Sequence, residues 1–183
     1  MNLDQELREV PLSEETVFEG ILINVSHMQV QLPDGRTAPR EIVNHKGGAA
    51  MVAIDADENI YMVRQHRVAV DEITLEIPAG KLEAYGDDPY ESAVRELEEE
   101  TGLRAENVEL LTSAIPTPGY CRELLGIYMA TGLSQHEDHL DEDEFLHVVK
   151  IPLKEAVARV MSGEFRDAKT IIGILMAWQK LHG

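Results

Sequence analysis

Glu96, Glu98, Glu99 and Glu100 follow Arg95 directly, in a segment that reads as the end of a helix. Positions 96, 99 and 100 are related by steps of three and four, so three carboxylates share one helical face. Each like-charge pair at that spacing costs about 0.2–0.5 kcal/mol. The last helical turn also disfavours anions, by about 0.3–1 kcal/mol each. A merely solvated face normally interleaves lysines, and there is none between Ser92 and Gly102. Carboxylate oxygens without a neighbouring imidazole or thiolate suit a hard cation such as Mg²⁺ or Mn²⁺. Spacing alone leaves two readings open, a divalent-metal site and a solvated acidic face.

The elements that would carry this face follow from local signals. Asp88-Pro89 supplies an N-cap with proline at the first helical position, and Gly102 suits a left-handed C-terminal cap. The helix is therefore expected over Pro89–Thr101. Tyr90, Ala93, Val94 and Leu97 are expected as its apolar stripe, opposite the glutamates. Upstream, Val17–Val25, Met28–Leu32 and Arg40–Asn44 read as short strands, with a turn at Pro33-Asp34-Gly35-Arg36. Ala49–Ile54 and Ile60–Val63 flank Asp55-Ala56-Asp57-Glu58-Asn59, a hairpin turn. Ile60 stands where a calcium loop needs glycine, which argues against that alternative. Leu75–Gly80 reads as a strand entering a turn, Val108–Ser113 and Leu124–Ala130 as strands, and Leu153–Met161 and Asp167–Leu181 as helices. Hairpins mixed with helices in this order predict an α+β fold or an α/β/α sandwich.

Composition narrows the class. The chain has 183 residues, enough for one well-buried domain and a small extension. Thirty-four acidic residues against 16 Lys and Arg give a net charge of −18. That field repels polynucleotides and anionic membranes, so neither is an expected partner. Cys121 is the sole cysteine, which excludes an internal disulfide and a multi-cysteine zinc site. Without a histidine partner nearby in the sequence, it reads as a packed thiol. The N-terminus lacks the basic-then-apolar order of a signal peptide, and Ile171–Trp178 is too short to span a bilayer. The expected location is the cytoplasm.

Residues 80–103 resemble the Nudix box, G-x5-E-x7-R-E-U-x-E-E-x-G-U with U aliphatic. Arg95 to Leu103 match at every specified position. The first half departs from the pattern, with one extra residue after Gly80 and Asp87 in place of glutamate. Arg40-Glu41-Ile42-Val43, Arg64-Gln65-His66-Arg67, Glu76–Glu83, Thr117-Pro118-Gly119-Tyr120 with Glu123, and Asp141–Phe145 resemble the ADP-ribose pyrophosphatase branch in the same order.

That resemblance implies a Nudix-type α/β/α sandwich over residues 46–183, with a dimerising antiparallel β extension over residues 1–45. It implies Mg²⁺-dependent hydrolysis (Mn²⁺ being the alternative) of ADP-ribose to AMP and ribose 5-phosphate. Glu96, Glu99, Glu100 and the carbonyl of Ala79 are the implied metal ligands, with Arg95 orienting the glutamates. Glu142, with Glu144 second, is the implied general base. Arg67 is implied at the diphosphate, Arg40 and Phe18 at the base, and Gly119 and Glu123 at the terminal ribose. The homodimer implied by the branch would let Phe18 and Arg40 serve the partner's site. Two alternatives stand beside this reading: another nucleoside-diphosphate sugar or dinucleotide as substrate, and a non-catalytic domain that binds ADP-ribose as a regulatory ligand.

Overall fold

The computed structural model describes residues 3–136 and 145–183. Its elements are α1 (Leu3–Glu6), β1 (Val10–Glu19), β2 (Asn24–Gln31), β3 (Thr37–Asn44), β4 (Gly48–Ile54), β5 (Asn59–Arg67), β6 (Glu72–Glu76) and β7 (Ala79–Lys81). There follow α2 (Pro89–Thr101), β8 (Leu103–Ala114), β9 (Leu125–Gln135), β10 (Leu146–Pro152), α3 (Leu153–Met161) and α4 (Ala168–His182). The fold is mixed α+β. The chain divides into two compact units, one of residues 1–46 and 117–123, the other of residues 47–116 and 124–183.

The smaller unit is a three-stranded antiparallel sheet in the order β1-β2-β3. β2 alternates exposed residues with buried Ser26, Met28 and Val30, while every residue of β1 is exposed. The sequence reading had one strand running through Val17–Val25. Instead Gly20 N–H bonds to the carbonyl of Ile23 and turns the chain between β1, which ends at Glu19, and β2, which begins at Asn24. The segment 117–123 is stitched to β3. Val43 N–H donates to Tyr120 O (2.7 Å), and Arg122 N–H donates to Val43 O (3.0 Å).

The larger unit is built on a sheet in the order β10-β5-β4-β9-β8, with β6 paired to β5 and β7 to β4. β4 is buried along its whole length. Because side chains alternate across a strand, it feeds two cores. Ala50, Val52 and Ile54 pack with Leu153 and Ala156 of α3 and with Ile174 and Ala177 of α4. Ala49, Met51 and Ala53 pack with Ala93 and Leu97 of α2. Helices thus cover both faces, which makes this unit an α/β/α sandwich.

α2 begins and ends where its caps predict. The Asp88 carboxylate accepts from Tyr90 N–H (2.9 Å), and Gly102, at φ 67°, closes the helix with its N–H on Glu98 O. The stripe differs from expectation. Ala93 and Leu97 are buried, but Tyr90 and Val94 are exposed, and Glu96 and Glu100 occupy the buried face beside Ala93 and Leu97. Positions 93, 96, 97 and 100 follow helical spacing, so two glutamates face the sheet rather than solvent.

Candidate active site

β7 and α2 meet through glutamate side chains. Ala79 N–H donates to Oε2 of Glu100 (3.1 Å), whose residue is 2% exposed. The Glu96 carboxylate lies directly over Gly80: a Cβ built at Gly80 would stand 1.9 Å from it. A side chain at Gly80 would have to push the Glu96 carboxylate aside. Arg95 donates from Nη2 to Glu96 (2.8 Å) and from Nη1 to Glu99 (2.6 Å). Burial lowers the pKa of Arg95, and the negative fields of Glu96, Glu99 and Glu83 more than reverse that, so it stays protonated. Among the described residues, no three His, Cys, Asp or Glu side chains converge into a ready metal cluster. The carboxylates instead sit in hydrogen bonds from Arg95 and the β7 backbone. The donor set still fits a divalent cation: hard carboxylate oxygens, two of them on buried residues, set above a glycine cradle beside the Ala79 peptide.

Asp87, the departure from the motif, has a local task. Its carboxylate accepts from Ala84 N–H (2.7 Å) and closes the loop before α2.

Arg67, on β5, forks onto Glu76 of β6, Nε to Oε1 at 2.9 Å and Nη2 to Oε2 at 2.8 Å. Glu76 is itself buried and also accepts from Thr74 Oγ1 (2.6 Å) and Lys169 Nζ (2.5 Å). Burial pushes the Glu76 carboxyl up, but Arg67, Lys169 and Thr74 outweigh it and bring it down to about 2. Arg67 is raised by its bonds to Glu76 and, through space, by Glu100 and Asp167, so its field reaches the carboxylate face of α2. Arg67, Glu76 and Lys169 line a cavity of about 1010 Å³; the glutamates of α2 do not. Glu76 and Lys169 were not read from the sequence as site residues. A signal existed for Lys169, because a cation in the first turn of a helix opposes the macrodipole and needs a partner.

The remaining residues lie in the smaller unit. Phe18 is exposed on β1. Arg40 forks onto Glu9, Nε to Oε2 at 3.0 Å with a second bond from Nη2 to Oε1. Glu123 stands 3.7 Å from Nδ1 of His45. Gly119 lies in the turn 118–120 with open space at its Cα. Arg122 is held by Glu14 (2.8 and 3.0 Å) and Asn44 (2.7 Å), and that pairing lowers the Glu14 pKa. Cys121 is a half-buried free thiol, bridged through its backbone to Val43. Glu142 and Glu144 lie outside the described residues.

The chain is similar to known proteins. The NUDIX domain model covers residues 44–174. The chain belongs to the NUDIX family. It is 41% identical over 168 residues to the methanol dehydrogenase activator of Bacillus methanolicus, covering 91% of this chain and 90% of that protein. It is 40% identical over 172 residues to the ADP-ribose pyrophosphatase of Bacillus subtilis strain 168, covering 93% and 92%. A crystal structure of an ADP compounds hydrolase superposes with a TM-score of 0.82 at 24% identity, over 96% of this chain and 95% of that one, which bears on the fold. Within the NUDIX family the chain is a hydrolase of the ADP-ribose pyrophosphatase type. No helix among the described residues is long and apolar enough to cross a membrane.

Proposed function

We propose that the chain hydrolyses the diphosphate bond of ADP-ribose to AMP and ribose 5-phosphate in a divalent-metal-dependent reaction. The observation that carries this reading is the pair of buried glutamates, Glu96 and Glu100, packed against the Ala79-Gly80 backbone of β7. Glu96, Glu99, Glu100 and the carbonyl of Ala79 would hold Mg²⁺, with Mn²⁺ as the alternative. Held by these residues, such a cation would supply charge to neutralise the diphosphate and the leaving phosphate and to make a bound water more acidic. Arg95 keeps Glu96 and Glu99 oriented and offsets their repulsion. Arg67 attracts the diphosphate, and Glu142 or Glu144 takes the proton from water. Phe18 is exposed and free to stack on adenine, with Arg40 beside the base and Gly119 and Glu123 at the terminal ribose.

The exposed apolar side chains of residues 1–45, Leu12, Val17, Phe18, Ile21 and Leu22, support a homodimer that covers them. Product analysis after incubation with ADP-ribose and Mg²⁺ tests the reaction. AMP with ribose 5-phosphate is expected, whereas turnover of UDP- or GDP-sugars far above that of ADP-ribose overturns the substrate. The similarity to the methanol dehydrogenase activator favours a second reading, in which the chain raises a dehydrogenase's activity. A methanol dehydrogenase assay with and without the chain reads it directly.

A further inference from the structure

Lys169 occupies the first turn of α4, the end of a helix that repels cations. It is held there by two acids. Its Nζ is 3.0 Å from Oδ2 of Asp167, the N-cap, and 2.5 Å from Oε2 of Glu76. Its side chain is 13% exposed. The same cap ties α4 to the link between β6 and β7. Thr170 Oγ1 donates to Asp167 (2.6 Å) and accepts from Ile77 N–H (3.0 Å). Glu76 and Asp167 are therefore matched by Lys169 and Arg67, two anions by two cations. Arg67 spends Nε and Nη2 on Glu76, and its Nη1 has no partner among the described residues. Without Lys169, Arg67 would be the one cation bonded to Glu76 among the described residues, and less of its own field would reach an anion in the cavity, which Arg64, Arg159 and Arg166 also line.

We propose that Lys169 is a positioning residue that shares the Glu76 carboxylate and so leaves Arg67 with positive charge and one open edge for the substrate's diphosphate. This rests on the reading of ADP-ribose as substrate. Lys169 lines the same cavity, but its Nζ is taken up by Glu76 and Asp167, so on this proposal it acts through Glu76 on Arg67. A KM effect is therefore expected, with little change in kcat.

The test uses the full chain and three variants, K169M, K169R and T170V. Calorimetry in EDTA gives the Kd for ADP-ribose without turnover, and steady-state kinetics with Mg²⁺ give kcat and KM. K169M should raise Kd and KM about tenfold, with kcat within roughly threefold of wild type. K169R, which keeps the charge, should restore most of the affinity. T170V removes the hydroxyl's bonds to Ile77 and Asp167 but no charge, and should leave Kd within about twofold. An unchanged Kd in K169M overturns the proposal, as does an equal rise in T170V, which would assign the effect to a displaced strand. If K169M does not fold, K169Q replaces it with the same expectations. If wild-type chain binds no ADP-ribose, the substrate reading fails by itself. Inorganic pyrophosphate then serves as the probe: weaker binding to K169M sustains the Lys169 role, and equal binding ends it.

Discussion

Two buried carboxylate clusters stand within the larger unit, and they are balanced differently. At Glu76, Arg67 and Lys169 donate to one carboxylate, Thr74 adds a hydroxyl, and the acid is held near pKa 2. On α2, Glu96, Glu99 and Glu100 share a face with Arg95, the helix's sole cation. The first cluster sets two cations on one carboxylate and ties β5, β6 and α4 together. The second gathers three carboxylates around one helix cation, with Glu96 seated in the space left by Gly80, an arrangement that a divalent cation would stabilise. Burial of acids alone therefore does not mark a catalytic site. The ratio of acids to cations around them is what sets the candidate site on α2 apart.

The sharpest way to break this contrast is Glu100→Gln. Loss of one ligand charge from the α2 cluster should cut turnover by on the order of 10³-fold while the melting temperature holds or rises. Retention of activity would remove the ligand assignment. Gly80→Ala comes next, since its methyl must displace the Glu96 carboxylate. A loss of about 10²-fold in kcat is expected, because ångström shifts of a reacting group carry that cost. Equal activity in G80A would show that the Glu96 position is not needed.

At the Glu76 cluster the expected signature is stability. Glu76 is depressed from 4.5 to about 2 in the fold. Its contribution is complete above pH 4.5 and disappears as pH falls toward 2, a change of about 3 kcal/mol. Acid-unfolding curves should show that slope in wild type and lose it in Glu76→Gln; identical slopes would refute the pairing. The smallest effect belongs to Arg122→Ala, which breaks an ion pair in the smaller unit whose partners are both substantially exposed. Less than about 1 kcal/mol should appear in urea unfolding.

Local rules made α2 legible to the residue, because Asp88, Pro89 and Gly102 act within one turn of themselves. α3 and the Asp167 cap of α4 were equally readable. The inward turn of Glu96 and Glu100 was not, since hydrophobic periodicity assigns glutamate to solvent and the compensating surface, Ala79-Gly80, lies some twenty residues away in sequence. β1 escaped its true start because Val10–Glu19 is exposed throughout and shows no buried alternation. β10 and β6 were missed or shortened for the same reason: edge strands with mixed side chains carry little periodic signal. The bond between Lys169 and Glu76 spans 93 positions, which no local pattern encodes. The family resemblance located the carboxylates, but it was packing that showed which of them are buried.

The parallel pairing of β4 with β9 has a consequence for synthesis. Gly48 is matched with Leu125 and Ala53 with Ala130, so the central ladder closes a long loop that contains β7, α2 and all three glutamates of the site. On a ribosome, the acidic helix emerges well before the strand that completes the sheet beneath it. Loop closure of this length is slow relative to helix formation. A nascent chain halted before residue 125 would thus have β4 and α2 in hand but lack β9, the central neighbour that completes the sheet under the helix.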